Sequence, residues 1–363
     1  MATIRLKNIT KKFGQVTAVD NLNLEIEDGS FATLLGPSGC GKTTTLRMIA
    51  GLEDPTEGEI WVGDKCVFSS ITGDYVPPAK RKMGLVFQSY ALWPHLTVFE
   101  NISFGLSIAK RPSSEIKSRT IEIAKTLQIG DLLERYPSEL SGGQQQRVAI
   151  ARVLVMKPEV LLLDEPLSNL DSKLRMDMRA ELKRLHLETG STIIYVTHDQ
   201  LEALTMSSHV AVMDRGLLQQ WDPPMDIYSK PANIFTADFI GNPRINLIDG
   251  VLKKSGDGWE VAADRLVLPY SAQNGATLHE QRVKLGLRAE DMYLAKEPGP
   301  GLFEGTVYSV LPAGSEWYIK VKLGEEILTV TVYSDLDLKL DESIWVGVYE
   351  NKSKCFGEDG ELL

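Results

Sequence analysis

At 363 residues, the chain is longer than one domain of typical size, which predicts two domains. A composition of 43% hydrophobic and 24% charged residues is ordinary for a folded, soluble protein whose core needs no disulfide bonds. The formal net charge of -10 argues against a protein that binds nucleic acid, because such proteins usually present a basic face.

Cysteine spacing and hydropathy narrow the class further. Cys40, Cys66 and Cys355 lie far apart and never in a CxxC pattern, so we expect reduced thiols, which suit the cytosol, rather than a metal site or disulfides. Residues 1–13 lack the apolar region of a signal peptide, and no apolar run reaches the roughly 20 residues of a membrane span. If the protein works at a membrane, other subunits must cross it.

Residues 3–231 alternate short apolar runs with helical patterns, which predicts an α/β domain built on a largely parallel sheet. The predicted elements are, in chain order, a strand over 31–35, a helix over 42–50, a strand over 84–87, an amphipathic helix over 113–127, and strands over 160–163 and 192–197. The apolar face of the amphipathic helix is predicted to consist of Ile116, Ile121, Ile123, Ala124 and Leu127.

Beyond residue 243 the pattern changes to the alternation of β-strands. Over 317–323, apolar residues share one face while Tyr318, Lys320 and Lys322 share the other, and residues 328–332 repeat the pattern. Glycine and proline separate these runs. This part of the chain is predicted to form a small all-β domain, as a partly closed barrel.

Residues 36–44 match the phosphate-binding loop pattern G-x-x-x-x-G-K-[ST], between a predicted strand and a predicted helix. Backbone N–H groups of such a loop close on phosphate oxygens, and the helix adds its positive N-terminal end. Lys42 supplies a charge toward the β- and γ-phosphates, and the Thr43 hydroxyl can ligate Mg²⁺. The residues predicted to bind the nucleotide here are Gly36, Pro37, Ser38, Gly39, Cys40, Gly41, Lys42, Thr43 and Thr44.

The aliphatic run over 160–163 ends in Asp164 and Glu165. A carboxylate at the end of a buried strand is costly unless something compensates its charge. Mg²⁺ held by Asp164 would do so, which is the Walker B arrangement. Glu165 is then placed to polarise the attacking water and is the predicted catalytic base.

Two more predicted strands end in polar side chains, Gln88 and His198. The carboxyl ends of parallel strands form the edge of an open α/β sheet where ligands bind. We therefore expect Gln88, Asp164 and His198 to converge on the phosphate loop.

Residues 140–147 read LSGGQQQR. Ser141 is a good N-cap, and Gly142 and Gly143 leave backbone N–H groups open at a helix start, which makes a second anion site. One chain has no need for two phosphate sites on one nucleotide. At these residues the sequence resembles the ABC-type ATPases, whose signature is LSGGQ.

This resemblance implies a head-to-tail dimer with a second copy or a paralogous ATPase. Each signature, here Ser141, Gly142, Gly143 and Gln144, would close on the ATP held by the phosphate loop of the other subunit. Asp171 ends a segment, 168–171, that resembles the D-loop, which crosses the dimer interface.

The resemblance also implies roles for three further residues. His198 matches the switch histidine, a catalytic residue that contacts the γ-phosphate. Gln88 matches the Q-loop glutamine that links Mg²⁺ to the membrane subunits, so the implied metal ligands are Thr43, Gln88 and Asp164. Phe13 occupies the place of the aromatic residue that stacks on adenine; a position in the core is the alternative.

Segments 87–95, 166–175 and 239–243 look like those of sugar-importer ATPases of the maltose-importer type. The implied fold is an α/β P-loop NTPase of ABC type followed by an all-β, OB-like (TOBE-type) regulatory domain. Residues 286–290 are similar to a motif of that domain, with Ala289 in place of the usual proline. The implied domains are 1–235, with a RecA-like core and a helical subdomain at about 89–155, and 236–363.

The function that the resemblance implies is ATP hydrolysis that powers import of a carbohydrate, with ATP and Mg²⁺ as cofactors. The implied partners are two membrane-spanning permease subunits at the cytoplasmic face of the membrane and, indirectly, an extracytoplasmic solute-binding protein. Polyamine, sulfate, iron and glycerol phosphate stay open as solutes. An ABC ATPase that acts on nucleic acid is the other alternative, which the acidic balance opposes.

Cys40 lies inside the phosphate loop, near a helix N-terminus and Lys42. Both features lower the pKa of a thiol and raise its reactivity. The position predicts that a maleimide inactivates the enzyme and that MgATP protects it.

Overall fold

The structure is a computed structural model that describes residues 3–272, 277–334 and 336–363. The chain forms two compact units, Met1–Pro224 and Met225–Leu363. The domain boundary that the sequence suggests, between residues 235 and 236, lies inside the second unit and stays a prediction. Within the described ranges, no helix is long and apolar enough to cross a membrane.

The first unit mixes strands and helices. Its elements are, in chain order, β1 (Ile4–Phe13), β2 (Val16–Ile26), β3 (Phe31–Leu35), α1 (Lys42–Ala50), β4 (Glu57–Val62), β5 (Lys65–Ser69), β6 (Met83–Val86), α2 (Val98–Ile108), α3 (Ser113–Thr126), α4 (Gly142–Leu154), β7 (Val160–Asp164), α5 (Ser172–Thr189), β8 (Thr192–Thr197), α6 (Gln200–Met206), β9 (His209–Asp214) and β10 (Leu217–Asp222).

A six-stranded sheet forms the centre of this unit, in the order β10-β9-β3-β8-β7-β6. All neighbouring strands of this sheet pair in parallel, apart from the antiparallel pair of β9 and β10. Every residue of β3, β7 and β8 is buried, as expected for strands covered on both faces. The strands predicted here are confirmed, with β6 displaced by one residue from the predicted 84–87.

A second sheet in the same unit is antiparallel, in the order β2-β1-β4-β5. The sequence patterns used above did not predict it. Register shifts interrupt the β1–β2 pairing between Leu6 and Lys12. Such bulges break the regular alternation by which a half-buried strand is identified in a sequence.

The helix predicted over 113–127 is α3, but one residue of its proposed apolar face is wrong. Thr120 and Ala124 are fully buried, whereas Ile121 is 43% exposed. Successive helical residues differ by roughly 100° around the axis, so Ile121 lies off the face that Thr120 and Ala124 share.

In its described residues, the second unit consists of two short helices followed by strands, with a 3-10 turn at Ala289–Asp291. Its elements are α7 (Pro224–Ser229), α8 (Ile234–Phe239), β11 (Asn246–Ser255), β12 (Gly258–Ala263), β13 (Leu266–Tyr270), β14 (Gln281–Leu287), β15 (Met292–Ala295), β16 (Phe303–Pro312), β17 (Trp317–Leu323), β18 (Glu326–Val332), β19 (Ser343–Val348) and β20 (Lys354–Phe356).

The strands of the second unit form two five-stranded sheets, β13-β12-β11-β14-β20 and β15-β19-β16-β17-β18. All of their pairings are antiparallel. The predicted alternation over 317–323 is confirmed, with Ile319, Val321 and Leu323 buried. The region from β11 to β20 is therefore built from antiparallel sheets, as the implied OB-like domain requires.

Buried Arg288 explains the motif at 286–290. Its guanidinium donates to the carbonyl oxygens of Ile240, at 2.7 Å, and Tyr228, at 2.8 Å, and stacks on the Tyr228 ring. The motif thus fixes α7 and the end of α8 to the end of β14.

Candidate active site

The loop between β3 and α1 has the geometry of a phosphate-binding loop, and packing requires glycine at two of its positions. A Cβ atom on Gly36 would lie 2.2 Å from the carbonyl oxygen of Met213. Gly41 has a φ of +104°, and a Cβ there would lie 2.4 Å from the carbonyl oxygen of Ala18. Only glycine fits at these two positions without moving the backbone of β2 or β9.

Lys42 directs its side chain back into this loop. Its ammonium group donates to the carbonyl oxygens of Gly36, at 2.8 Å, and Pro37, at 2.9 Å. The residue is only 5% exposed. Its Nζ atom is therefore placed where a phosphate oxygen can replace a carbonyl partner.

Thr43 and Asp164 meet at the start of α1. The Thr43 hydroxyl donates to Oδ1 of Asp164 at 2.9 Å. Burial raises the pKa of Asp164, and the hydrogen bond from Thr43 opposes that rise. Asp164 is thus a buried carboxylate with a hydroxyl beside it, as the sequence predicts.

Gln88 lies at the same edge of the sheet as Asp164. Both line a cavity of about 270 Å³, together with Arg47 and Asn169. The carboxylate of Asp164, the amide of Gln88 and the hydroxyl of Thr43 offer the oxygen atoms that Mg²⁺ prefers. This donor set fits a magnesium ion.

Glu165 and His198 form a pair beside this cavity. Nδ1 of His198 lies 3.2 Å from Oε2 of Glu165. Glu165 has a φ of +44°, a left-handed conformation that is unusual for a residue with a side chain. Its N–H donates to the carbonyl oxygen of Val196 at 3.0 Å, which holds the turn.

The segment 168–171 connects Gln88 to the end of β7. The Gln88 amide donates to the Ser168 hydroxyl at 3.3 Å, and that hydroxyl donates to the carbonyl oxygen of Glu165 at 2.9 Å. Asn169 donates to the carbonyl oxygen of Gln88 at 3.0 Å. Asp171 caps α5 by accepting from the N–H of Leu174. The structure therefore brings the predicted residues Gln88, Asp164, Glu165 and His198 together.

The signature residues form the start of α4. Ser141 accepts from the N–H of Gln144, and the Gln144 side chain accepts from the N–H of Ser141. A Cβ on Gly143 would lie 2.6 Å from the Leu174 side chain, whereas one on Gly142 would make an ordinary contact with Leu170. In the part of the chain that the structure describes, no hydrogen bond joins this turn to the phosphate loop of the same chain.

Phe13 is 49% exposed, so the alternative position in the core is wrong. The ammonium group of Lys11 lies 4.8 Å from the centroid of its ring. The ring is accessible for stacking, and its role with adenine stays a prediction.

The structure contradicts the expected lowering of the Cys40 pKa, on which the predicted reactivity of the thiol rests. Burial raises the pKa of Cys40, although Lys42 lies 3.6 Å from the sulfur and opposes the rise. The residue is 2% exposed. Because both thiolate formation and access are needed for reaction, Cys40 is expected to be inert.

Sequence reasoning missed Arg47, and it singled out segment 168–171 without predicting the contacts that Ser168 and Asn169 make with Gln88 and Glu165. Arg47 lines the cavity with Asp164, and its charge opposes the rise that burial causes in the pKa of that carboxyl. Arg47 is four residues after Thr43, which places both on one face of α1. That spacing could have identified Arg47, whereas the contacts of Ser168 and Asn169 depend on the fold.

A glycine-rich loop that opens a helix with Lys42 and Thr43, beside a buried aspartate at the end of a parallel strand of the same sheet, defines a P-loop nucleoside-triphosphate-binding protein. The family model described as "ABC transporter" matches residues 19–168.

Curated relatives extend the match over almost the whole chain. The trehalose/maltose import ATP-binding protein MalK of Thermococcus litoralis is 50% identical over 331 residues, which cover 89% of each chain. The maltose/maltodextrin import ATP-binding protein MalK of Aliivibrio fischeri is 42% identical over 99% of this chain and 97% of its own. The chain therefore belongs to the ATP-binding proteins of ABC transporters and is an ATP hydrolase of that class.

Solved structures match about three fifths of the chain. The ATP-binding cassette MJ0796, in a dimeric post-hydrolysis state bound to ADP and Pi, is 35% identical with a TM-score of 0.54. The match covers 61% of this chain and 98% of that cassette. CbiO1 of Clostridium perfringens is 31% identical with a TM-score of 0.57, over 62% of this chain and 90% of its own.

Proposed function

We propose that this chain hydrolyses ATP to power the import of a carbohydrate. The observation that carries the proposal of hydrolysis is the Glu165–His198 pair, next to the Thr43–Asp164 contact and the phosphate loop. Import of trehalose, maltose or maltodextrin by the relatives named above supports a carbohydrate as the solute. A relative from Synechocystis that serves uptake of osmoprotective compounds, 45% identical over 88% of this chain, keeps a second class of solute open.

In this proposal the phosphate loop binds the nucleotide through its backbone N–H groups and the Lys42 ammonium group. Thr43, Gln88 and Asp164 would hold Mg²⁺, which neutralises charge on the phosphate oxygens when it is bound. Glu165 accepts a proton from the attacking water, and His198 donates a hydrogen bond to the γ-phosphate.

The signature supports a composite site between two copies. Its glycines present open N–H groups at the start of α4, yet the described chain does not connect them to its own phosphate loop. We infer that Ser141, Gly142, Gly143 and Gln144 bind the ATP of a second subunit, with Asp171 at the interface and Phe13 on the adenine. The dimeric MJ0796 cassette supports this arrangement.

The remaining partners are also proposed on the family's organisation. Two permease subunits would receive the motor at the cytoplasmic face of the membrane, on the helical region at about 89–155, and a solute-binding protein would deliver the cargo. Residues 236–363 would form the regulatory domain. The identity of the imported solute can be tested by reconstituting this chain with permease subunits encoded by adjacent genes. Only the correct solute, delivered by its binding protein, should stimulate ATP hydrolysis.

The Glu165→Gln variant tests the proposed chemistry. It keeps the size of the side chain and removes the base, so hydrolysis should fall by at least about 10²-fold while ATP binding is retained. Phosphate release and binding of a fluorescent ATP analogue measure the two quantities. Glu188→Gln is the matched control, since Glu188 is an exposed partner of Arg184 on α5. Hydrolysis by Glu165→Gln at close to the wild-type rate would contradict the assignment.

A further inference from the structure

Arg175, in the first turn of α5, bridges two loops of the candidate active site. Its guanidinium donates to the carbonyl oxygen of Leu170 at 3.1 Å, next to Asp171. It also donates to Oδ2 of Asp199 at 3.2 Å, and Asp199 directly follows His198. One planar side chain thus contacts both the segment 168–171 and the loop after β8.

The third group near Arg175 is Glu202, whose carboxylate is almost fully buried. Nε of Arg175 lies 3.9 Å from Oε1 of Glu202. The other oxygen, Oε2, accepts from the hydroxyls of Tyr195, at 2.8 Å, and Thr197, at 2.6 Å. A buried carboxylate needs such compensation, so these contacts are expected to hold their geometry tightly.

This network holds the chain on both sides of His198. Thr197, which precedes it, donates to Glu202 and accepts from the N–H of Asp199 at 3.0 Å. Asp199, which follows it, binds Arg175 and caps α6 through the N–H groups of Leu201 and Glu202. His198 itself points to Glu165 and takes no part in the network.

We propose that Arg175 is a positioning residue for ATP hydrolysis, which ties the loop that bears His198 to the segment that ends at Asp171. The inference rests on the proposed function, because it assigns the purpose of the link to His198. Movement of segment 168–171 is then transmitted to the chain on both sides of His198 through the guanidinium group of Arg175. Lysine cannot replace it, since an ammonium group lacks the planar fork that reaches both Leu170 and Asp199.

The test compares Arg175→Ala and Arg175→Lys with wild type in the presence and absence of His198. Both variants should lose roughly 10- to 100-fold in kcat with little change in ATP affinity, because displacement of a catalytic group by about 1 Å costs that much. In the His198→Ala background, Arg175→Ala should cause no further loss, since its effect passes through His198. A residue that only stabilises the fold would lower activity equally in both backgrounds.

Two more variants keep the outcome decisive. Arg184→Ala is the matched control, an exposed arginine of α5 that pairs with Glu188; it should leave kcat unchanged. If Arg175→Ala also weakens ATP binding, the same comparison is made with Asp199→Asn, which should lower kcat in wild type but not in the His198→Ala background. Asparagine still caps α6 but loses the charge that attracts Arg175. The inference would be overturned if kcat of the Arg175 variants equalled that of wild type. It would also be overturned if Arg175→Ala lowered kcat by the same factor in the His198→Ala background as in wild type. The proposed function would fail instead if wild type did not hydrolyse ATP or Glu165→Gln did so normally.

Discussion

Arg81 provides the sharpest test of what holds the phosphate-loop helix in place. The residue is 4% exposed, and among the described residues its guanidinium donates to backbone carbonyl oxygens alone. Two of these, on Met48 and Ile49, belong to the last turn of α1 and lie 2.8 Å away. The last carbonyl oxygens of a helix lack the usual partners four residues further on and carry its negative end, so a buried cation suits them, although Met48 also accepts from the N–H of Gly51 at 3.1 Å.

The expected loss for Arg81→Ala follows from these contacts. A hydrogen bond from a charged donor contributes about 1.5–3 kcal/mol, and three of those from Arg81 measure 2.8 Å. Burial of the guanidinium, which lowers the pKa of Arg81, offsets part of that sum. A buried carbonyl group left without a partner typically costs about 1–3 kcal/mol, so we expect the free energy of unfolding of the first unit to fall by about 3–5 kcal/mol in Arg81→Ala.

Thermal unfolding measures the loss, with an expected decrease in Tm of roughly 10 °C for a unit of this size. Hydrogen–deuterium exchange should also show faster opening of α1 in Arg81→Ala than in wild type. The control is Arg215→Ala, because the Arg215 side chain is 91% exposed; its Tm should stay close to that of wild type. A loss below about 1 kcal/mol for Arg81→Ala would refute the reasoning, because it would mean that water or relaxation satisfies the carbonyl groups.

The remaining predictions concern the dimer and the thiol in the phosphate loop. Lys42→Ala and Ser141→Arg should each abolish ATP hydrolysis, and a mixed dimer of the two variants should regain part of it, because one of its composite sites keeps Lys42 from one subunit and Ser141 from the other. A mixed dimer of wild type and the Lys42→Ala/Ser141→Arg double variant should be inactive, because each of its composite sites contains one of the two changes. If that mixed dimer hydrolyses ATP, after subtraction of the activity of wild-type dimers in the mixture, each site lies within a single subunit instead. Because burial raises the pKa of Cys40 and encloses its sulfur, a maleimide should react with Cys40 much more slowly than with half-buried Cys66. Rapid labelling of Cys40, measured by peptide mass spectrometry, would contradict this.

Features that depend on neighbouring residues were predictable from the sequence. The buried strands β3, β7 and β8 are continuous apolar runs, and the phosphate loop needs its glycines at fixed spacing. The convergence of Gln88, Asp164 and His198 then follows from parallel strands alone. That much of the fold and the candidate site requires no knowledge of long-range contacts.

Features that depend on distant contacts were not predictable. The bulged pairing of β1 and β2 obscures their alternation, so the antiparallel sheet was missed. Cys40 is only two residues from Lys42 in the sequence, yet burial, which only the fold reveals, is the largest influence on the pKa of its thiol. Likewise, the partners of Arg175 include Asp199, 24 residues further along the chain.

Asp164 and Glu165 show how the fold gives adjacent carboxylates different tasks. Successive side chains of a regular strand point to opposite faces, so continuation of β7 would separate the two groups. The left-handed conformation at Glu165 ends this alternation, and the hydrogen bond from its N–H to Val196 ties the turn to β8. A non-glycine residue keeps such a conformation only where its surroundings impose it.

As a consequence, one carboxylate is placed to ligate Mg²⁺ and the other is placed to accept a proton from the attacking water. Asp164 is 6% exposed and accepts a hydrogen bond from the Thr43 hydroxyl, which suits a ligand of Mg²⁺. The Glu165 side chain is 21% exposed and faces His198, which suits a base that must meet a water molecule. The proposed division of roles thus depends on one strained backbone position at the end of β7, and on β8, which both fixes that position and supplies His198.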